Sequence, residues 1–316
     1  MSDSTIWTEK YRPQKFDDIK GQKKIIERVR AFVEQKNMPH IMFAGPAGVG
    51  KSTISLVIAK ELYGENWKNS FLELNASDDR GIDVVRNTIK EFAKTKALSN
   101  VPFKIIFLDE CDSLTKEAQQ ALRRTMETYV ITTRFILSAN YSSKIIDPIQ
   151  SRCTVFRFKP LTEEEIQDYV KQICKQEGLQ MDESTVKALV EISSGDVRKI
   201  TNILQSCASI DKRITEQLIF SLVSAAEPKE IKEILLLAIA RQFIRARALL
   251  LDTMLKHGLS GIDILKQIQK ETVTLKEITD EKRIELIDKC GEIEFRMVEG
   301  SDEFLQLEAL LATYAK

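Results

Sequence analysis

Eight consecutive residues limit this chain more than any others. Gly45-Pro46-Ala47-Gly48-Val49-Gly50-Lys51-Ser52 satisfies G-x-x-x-x-G-K-[ST] at every fixed position. The apolar run Ile41–Ala44 precedes it and reads as a buried strand, and a helical pattern over Ser52–Leu62 follows. That strand–loop–helix setting is where such a loop works: its glycines let backbone N–H groups close around phosphates, and the helix N-terminus adds positive potential. Lys51 then reaches the β- and γ-phosphates and the Ser52 hydroxyl reaches Mg²⁺. Pro46, Ala47, Val49 and Thr53 belong to the same wrapping segment. The motif therefore predicts an α/β nucleotide-binding layer.

The surrounding pattern agrees. Short β-branched and aromatic runs recur at His40–Ala44, Phe71–Asn75, Lys104–Asp109, Arg134–Asn140 and Thr154–Phe158, with amphipathic stretches between them. Runs of this length and character suit buried parallel strands, and the intervening helices supply the crossovers of a parallel sheet. Two of these runs end in polar groups suited to phosphate chemistry. Asp109-Glu110 closes one strand at the carboxyl end, where α/β sheets place their ligand chemistry. Asp109 suits Mg²⁺, and Glu110 suits orientation of an attacking water. Asn140 closes another strand, and fits either a γ-phosphate contact or an ordinary turn.

After Lys159-Pro160 no strand-like run recurs. Thr162 and Glu165 form a T-x-x-E capping box ahead of Ile166, Tyr169, Val170 and Ile173, and Gly178 stops that helix. Helices over Glu183–Ile192 and Asp196–Ser209 follow. A break near Ala226-Glu227-Pro228 precedes a last set of amphipathic helices, whose Leu-rich faces serve either their own core or oligomer contacts. Three domains are expected: 1–160 as the α/β core, 161–226 as a helical lid and 227–316 as an all-α collar.

Composition excludes several classes. Lys+Arg and Asp+Glu stand at 47 each, so nucleic-acid binding would require a local patch. No apolar run reaches the ~18 residues of a membrane span, and the opening MSDSTIWTEKYRP lacks the blocks of a signal peptide, so an intracellular protein is expected. Five scattered cysteines without a CxxC pair argue for buried thiols rather than disulfides or zinc, and His40 and His257 read as structural residues.

A local patch does exist. In a helix beginning near Asp83, Ile82, Val85, Ile89 and Phe92 share one face, while Arg86, Lys90 and Lys94 recur at i, i+4, i+8 on another, with Arg80 just ahead. Such a stripe is either a solvated face or a row for duplex phosphates.

Taken in order, these pieces resemble an AAA+ ATPase, with Walker A at 45–52, Walker B at 104–110 and sensor 1 at Asn140. Trp7-Thr8-Glu9-Lys10-Tyr11-Arg12-Pro13, Asn75–Asp83, Ser151-Arg152-Cys153 and Gly195-Asp196-Val197-Arg198 are similar to signatures of the clamp loaders, in particular the archaeal-type small subunits of replication factor C. The resemblance implies that Thr8, Tyr11, Arg12 and the backbone near Lys20 line the adenine pocket, and that Arg198 on a lid helix touches the γ-phosphate. It implies that Arg152 is an arginine finger acting on a neighbouring subunit's ATP; spacing alone would make it a surface ion pair. It further implies DNA contact for Arg80, Arg86 and Lys90, and clamp contact near Leu98, Val101 and Phe103. The implied ligands are ATP and Mg²⁺. The implied partners are other small subunits and a large subunit in a hetero-oligomer, a pentamer, with a sliding clamp and primer–template DNA. The location would be the cytoplasm for an archaeal protein and the nucleus for a eukaryotic one. Cys111 stands where many relatives have Ala, a small replacement compatible with hydrolysis. Two rivals remain: another DNA-directed AAA+ ATPase, such as an initiator or branch-migration motor, and a nucleotide-binding scaffold without turnover. The first normally appends a winged-helix domain with a β-hairpin, which the last ninety or so residues do not suggest; the second is disfavoured by intact Lys51, Asp109, Glu110 and Arg152.

Overall fold

The computed structural model describes residues 6–78, 85–95, 103–223 and 228–315, without the side chains of 85, 86 and 228. It divides into two compact units, Met1–Arg213 and Ile214–Lys316.

The first unit is built on a five-stranded parallel sheet of order β2-β3-β4-β1-β5. The strands are β1 His40–Ala44, β2 Phe71–Asn75, β3 Lys104–Asp109, β4 Thr133–Ala139 and β5 Cys153–Arg157. The first three match the sequence reading; the last two begin and end one residue early. Alternation carries the packing. Ile41, Phe43, Ile105 and Phe107 face one core with Val29 and Ile54. Met42, Ile106, Leu108 and Leu137 face the other, with Leu122 and Met126. Each such side chain, removed from water, contributes about 1.5–3 kcal/mol, which is why the central strands tolerate almost no exposed residue.

Before the sheet come α1 Trp7–Lys10 and α2 Lys23–Glu34, and α3 Lys51–Tyr63 follows β1. A π-helical turn at Val85–Ile89 runs into α4 Lys90–Lys94, then α5 Lys116–Thr128 and the short α6 Asp147–Gln150. Two buried polar residues brace these layers. Lys104 donates to the Phe92 carbonyl oxygen at 2.5 Å and lies 3.7 Å from the Phe92 ring centroid, holding α4 to the sheet. His40 accepts the Phe135 N–H through Nδ1 at 3.1 Å, and burial, helped by the Arg134 charge, pushes its pKa down to about 4. Of the residues implied to lie near a clamp contact, one enters the core. Phe103 is 1% exposed and belongs to the core, because it starts the approach to β3. Leu98 and Val101 lie outside the described residues.

Lid helices α7 Glu163–Glu177, α8 Glu183–Ser193 and α9 Val197–Ala208 complete this unit. The expected capping box is present: Thr162 Oγ1 accepts from Glu165 N–H at 3.3 Å and Glu165 Oε2 accepts from Thr162 N–H at 3.0 Å. Gly178 closes α7 with φ 68°.

The second unit is helical: α10 Glu216–Val223, α11 Pro228–Ile239, α12 Phe243–His257, α13 Gly261–Thr274, α14 Asp280–Val298 and α15 Glu303–Tyr314. Its core gathers Ile231, Leu235, Leu250, Ile268, Leu286, Ile293 and Leu310. The five cysteines are free thiols, three buried and two half-buried. Among the described residues no helix is long and apolar enough to cross a membrane.

Candidate functional site

The sheet order places the carboxyl ends of β1, β4 and β3 side by side, and the polar residues that follow each strand meet there. Gly45 leaves β1 with its N–H donating to the Ala139 carbonyl oxygen of β4 at 3.1 Å. Gly48 has φ +72°, and a Cβ there would lie 1.9 Å from Asp196 Oδ1 of the lid, so only glycine fits. A Cβ at Gly45 would lie 2.7 Å from the Phe158 carbonyl oxygen, on the segment leaving β5.

Lys51, the first residue of α3, turns back beneath the loop. Its ammonium donates to the Gly45 and Pro46 carbonyl oxygens, each at 2.7 Å, and to Asn140 Oδ1 at 2.9 Å. Burial lowers its pKa, and Asp109 and Asp112 work against that shift. Ser52 Oγ donates to Asp109 Oδ2 at 2.6 Å. Glu110 adopts φ 50°, which is uncommon for a side chain of this kind, and its N–H donates to Asp109 Oδ1 at 3.0 Å. Gly48, Lys51, Ser52, Asp109, Glu110, Asn140 and Arg198 of the lid all line one cleft. A phosphate chain in that cleft would meet a buried ammonium, a guanidinium, the loop backbone and two carboxylates.

Sequence reasoning missed Asp112. Its two carboxylate oxygens accept the backbone N–H groups of Asn140 (3.2 Å) and Tyr141 (3.1 Å), which fixes the strand end that presents the Asn140 amide. The acid two residues beyond Glu110 was the available signal. Cys111, between them, is buried, and burial pushes its thiol pKa well up, the character of an inert packing residue.

The residues implied for an adenine pocket separate. Tyr11, Arg12 and Lys20 line a second cavity of about 350 Å³ with Tyr169, Gln172 and Ile173 of α7. Thr8 is half-buried and is not among its lining residues. The α1 segment is tied to the lid: Trp7 N–H donates to Gln205 Oε1 at 2.9 Å, and Lys10 Nζ donates to Glu177 Oε1 at 2.5 Å. The Tyr11 hydroxyl donates to that same Glu177 oxygen. Burial, with the Glu177 carboxylate beside it, raises the Tyr11 pKa. For Glu177, burial opposes ionisation but the bonds from Lys10 and Tyr11 prevail and hold its pKa down.

Arg152 does not line the phosphate cleft of its own chain. It lies between α6 and β5, with Nη2 2.5 Å from Glu127 Oε1 and Nη1 donating to the Pro148 carbonyl oxygen at 2.7 Å. Of the basic stripe, Lys90 and Lys94 are exposed while Ile89 and Ala93 are buried. Arg80 and the side chain of Arg86 lie outside the described residues.

A parallel sheet with a phosphate loop after β1, an acidic pair after β3 and a lid arginine over the same cleft defines a P-loop ATPase of the AAA+ class. Three family models match the chain in succession: the ATPase family associated with various cellular activities over residues 41–161, the RFC1-like AAA+ ATPase lid domain over 163–218, and the replication factor C C-terminal domain over 226–313. The replication factor C small subunit of Sulfolobus acidocaldarius is 50% identical over 100% of this chain and 97% of that protein. That of Archaeoglobus fulgidus is 48% identical over 99% of this chain and 98% of its own length. The chain belongs to the replication factor C small subunit family, and is thus an ATPase subunit of a clamp loader. Among solved structures, the RuvB Holliday junction branch migration motor of Thermotoga maritima matches with a TM-score of 0.56 over 71% of this chain and 79% of its own, at 17% identity. That likeness is one of fold, so the branch-migration alternative gains no ground against full-length identity of about one half.

Proposed function

We propose that this chain, joined with other small subunits and a large subunit, binds ATP and Mg²⁺ at the cleft described, opens a sliding clamp and places it on primer–template DNA. The supporting observation is the convergence of Lys51, Ser52, Asp109, Glu110, Asn140 and Arg198, drawn from three strand ends and the lid, on one cleft. In this reading residues 1–160 carry hydrolysis, 161–226 form the lid and 227–316 the collar that joins subunits. The relatives' source supports an archaeal cytoplasm as the place of action.

The Ser52 hydroxyl and the Asp109 carboxylate, 2.6 Å apart, are hard oxygen donors of the kind Mg²⁺ takes alongside substrate phosphates. Bound there, the ion would neutralise charge on the phosphate oxygens. Lys51 and Arg198 supply the positive charge that holds the phosphate chain. Glu110 orients the attacking water, and Asn140, set by Asp112, fixes that water or the γ-phosphate. Tyr11, Arg12 and Lys20 surround the base, with Thr8 adjoining them in sequence. Arg80, Arg86 and Lys90 track DNA phosphates, which recognises shape and charge rather than sequence.

Arg152 completes the site of the adjacent subunit. A finger of this kind is worth on the order of 10³–10⁵ in rate. The test mixes Arg152→Ala chains with Lys51→Ala chains in one assembly. Stimulated hydrolysis returns at the interfaces where an intact Arg152 meets an intact Lys51. Mixed assemblies that form and stay inactive would place Arg152 in its own chain's chemistry and defeat the shared-site reading.

A further inference from the structure

The finger residue is not loose on the surface. Arg152 makes two directed contacts, and its ionic one is to a side chain that also serves another arginine. Glu127, in the last turn of α5, accepts from Arg152 Nη2 at 2.5 Å and from Arg123 Nη1 at 2.9 Å, both through Oε1. The second contact of Arg152 is to the Pro148 carbonyl oxygen, which also accepts the Ser151 hydroxyl at 3.2 Å. The guanidinium is therefore held by a helix on one side and by its own turn on the other.

These three charged side chains are partly exposed, at 27%, 40% and 36% for Arg123, Glu127 and Arg152. Ion pairs so exposed add little to stability. What the arrangement does accomplish is orientation. Arginine is a long, flexible side chain, and a group that must meet charge developing on another molecule gains from being ordered beforehand. Two guanidiniums sharing one carboxylate also leave the cluster with net positive charge, so Glu127 orders Arg152 without cancelling its attraction for an anion.

We infer that Glu127 is a positioning residue for hydrolysis: it holds Arg152 in the pose that enters the neighbouring subunit's ATP site, and Arg123 in turn holds Glu127. The inference rests on the shared-site reading given above.

The experiment uses complete clamp loaders assembled from full-length chains, with hydrolysis stimulated by clamp and primed DNA. Four variants are compared: Glu127→Ala, Glu127→Gln, Arg152→Ala and the double Glu127→Ala/Arg152→Ala. Glu127→Ala is expected to lower kcat about tenfold, well short of losing the finger itself, with the KM for ATP held within about twofold. Glu127→Gln keeps the accepting oxygen and is expected to restore most of the rate. The double variant is expected to be no slower than Arg152→Ala, because Glu127 acts through Arg152. A full rate in Arg152→Ala would remove the shared-site reading and this proposal together. A slow Arg152→Ala beside a Glu127→Ala at or above the unaltered rate would overturn the positioning role alone. So would a double variant slowed by the product of the two single effects.

Discussion

Between Met1 and Arg213 the chain buries Lys51, Ser52, His40, Lys104 and Gln119 alongside its apolar core. Between Ile214 and Lys316 the buried polar side chains among the described residues are Thr253 and Thr272. Thr272 closes on its own helix, donating to the Ile268 carbonyl oxygen at 2.6 Å, and also bonds the Tyr314 hydroxyl. Lys51 instead reaches across to two loop carbonyls and a neighbouring strand end. Burying a charge is costly unless its hydrogen bonds are met; Lys104 meets that cost by bracing α4 to the sheet, whereas Lys51 does so at the cleft. The contrast separates a unit shaped by what it must bind from one shaped by packing.

The largest effect that could break the contrast is at Lys51. Lys51→Ala should raise the Kd for ATP by at least about 100-fold, or ~2.7 kcal/mol, while the fold persists. Its companion Glu110→Gln should bind ATP and turn it over about 100-fold more slowly; equilibrium binding and single-turnover hydrolysis separate the two. If Lys51→Ala unfolded the chain instead, the buried ammonium would be a stability element, and the first unit would resemble the second after all.

Leu310, fully buried in the helical core, supplies the converse. Leu310→Ala should destabilise by about 2–5 kcal/mol, with the spread set by how far the site can collapse. Denaturant unfolding reads that loss, and ATP affinity per folded molecule should be unchanged. A changed affinity would mean that the two units share more than a chain.

The smallest expected effect concerns the basic stripe. Replacing Arg80, Arg86 and Lys90 by Glu should weaken primer–template binding for every sequence and flatten its salt dependence by roughly one unit of slope per lost phosphate contact. An unaltered slope would return the stripe to a solvated face and confine the first unit's chemistry to nucleotide.

Much of this was legible in the amino-acid order because it is local. The phosphate loop, the acidic pair after β3 and the Thr162–Glu165 box are short patterns whose meaning depends on immediate neighbours. The strands are legible because β1, β3 and β4 are covered on both sides and so carry unbroken apolar runs. Their ends were less so: Thr133 joins β4 because it is fully buried and paired with Lys104, though its side chain is polar. Long-range contacts left no trace. Asp112 meets Asn140 across 28 positions and Tyr11 meets Glu177 across 166, through single polar side chains that repeat with no period. Phe103 stays open in the sequence for a related reason: a phenylalanine bordering a polar stretch reads alike whether it turns outward or caps a core.

The close fit at Gly48 has a mechanical consequence. The space a methyl group would need is already taken by Asp196, and the Val197 N–H donates to the Gly48 carbonyl oxygen at 3.2 Å. On the other flank, Gly45 leaves no clearance against Phe158, where the chain departs from β5. Loop and lid root therefore pack directly against each other at Gly48. A methyl group added at either glycine would have to displace the Asp196 carboxylate or the Phe158 backbone. On the proposed reading, the two glycines serve both as contact points between neighbouring segments and as places where the loop backbone can approach a phosphate.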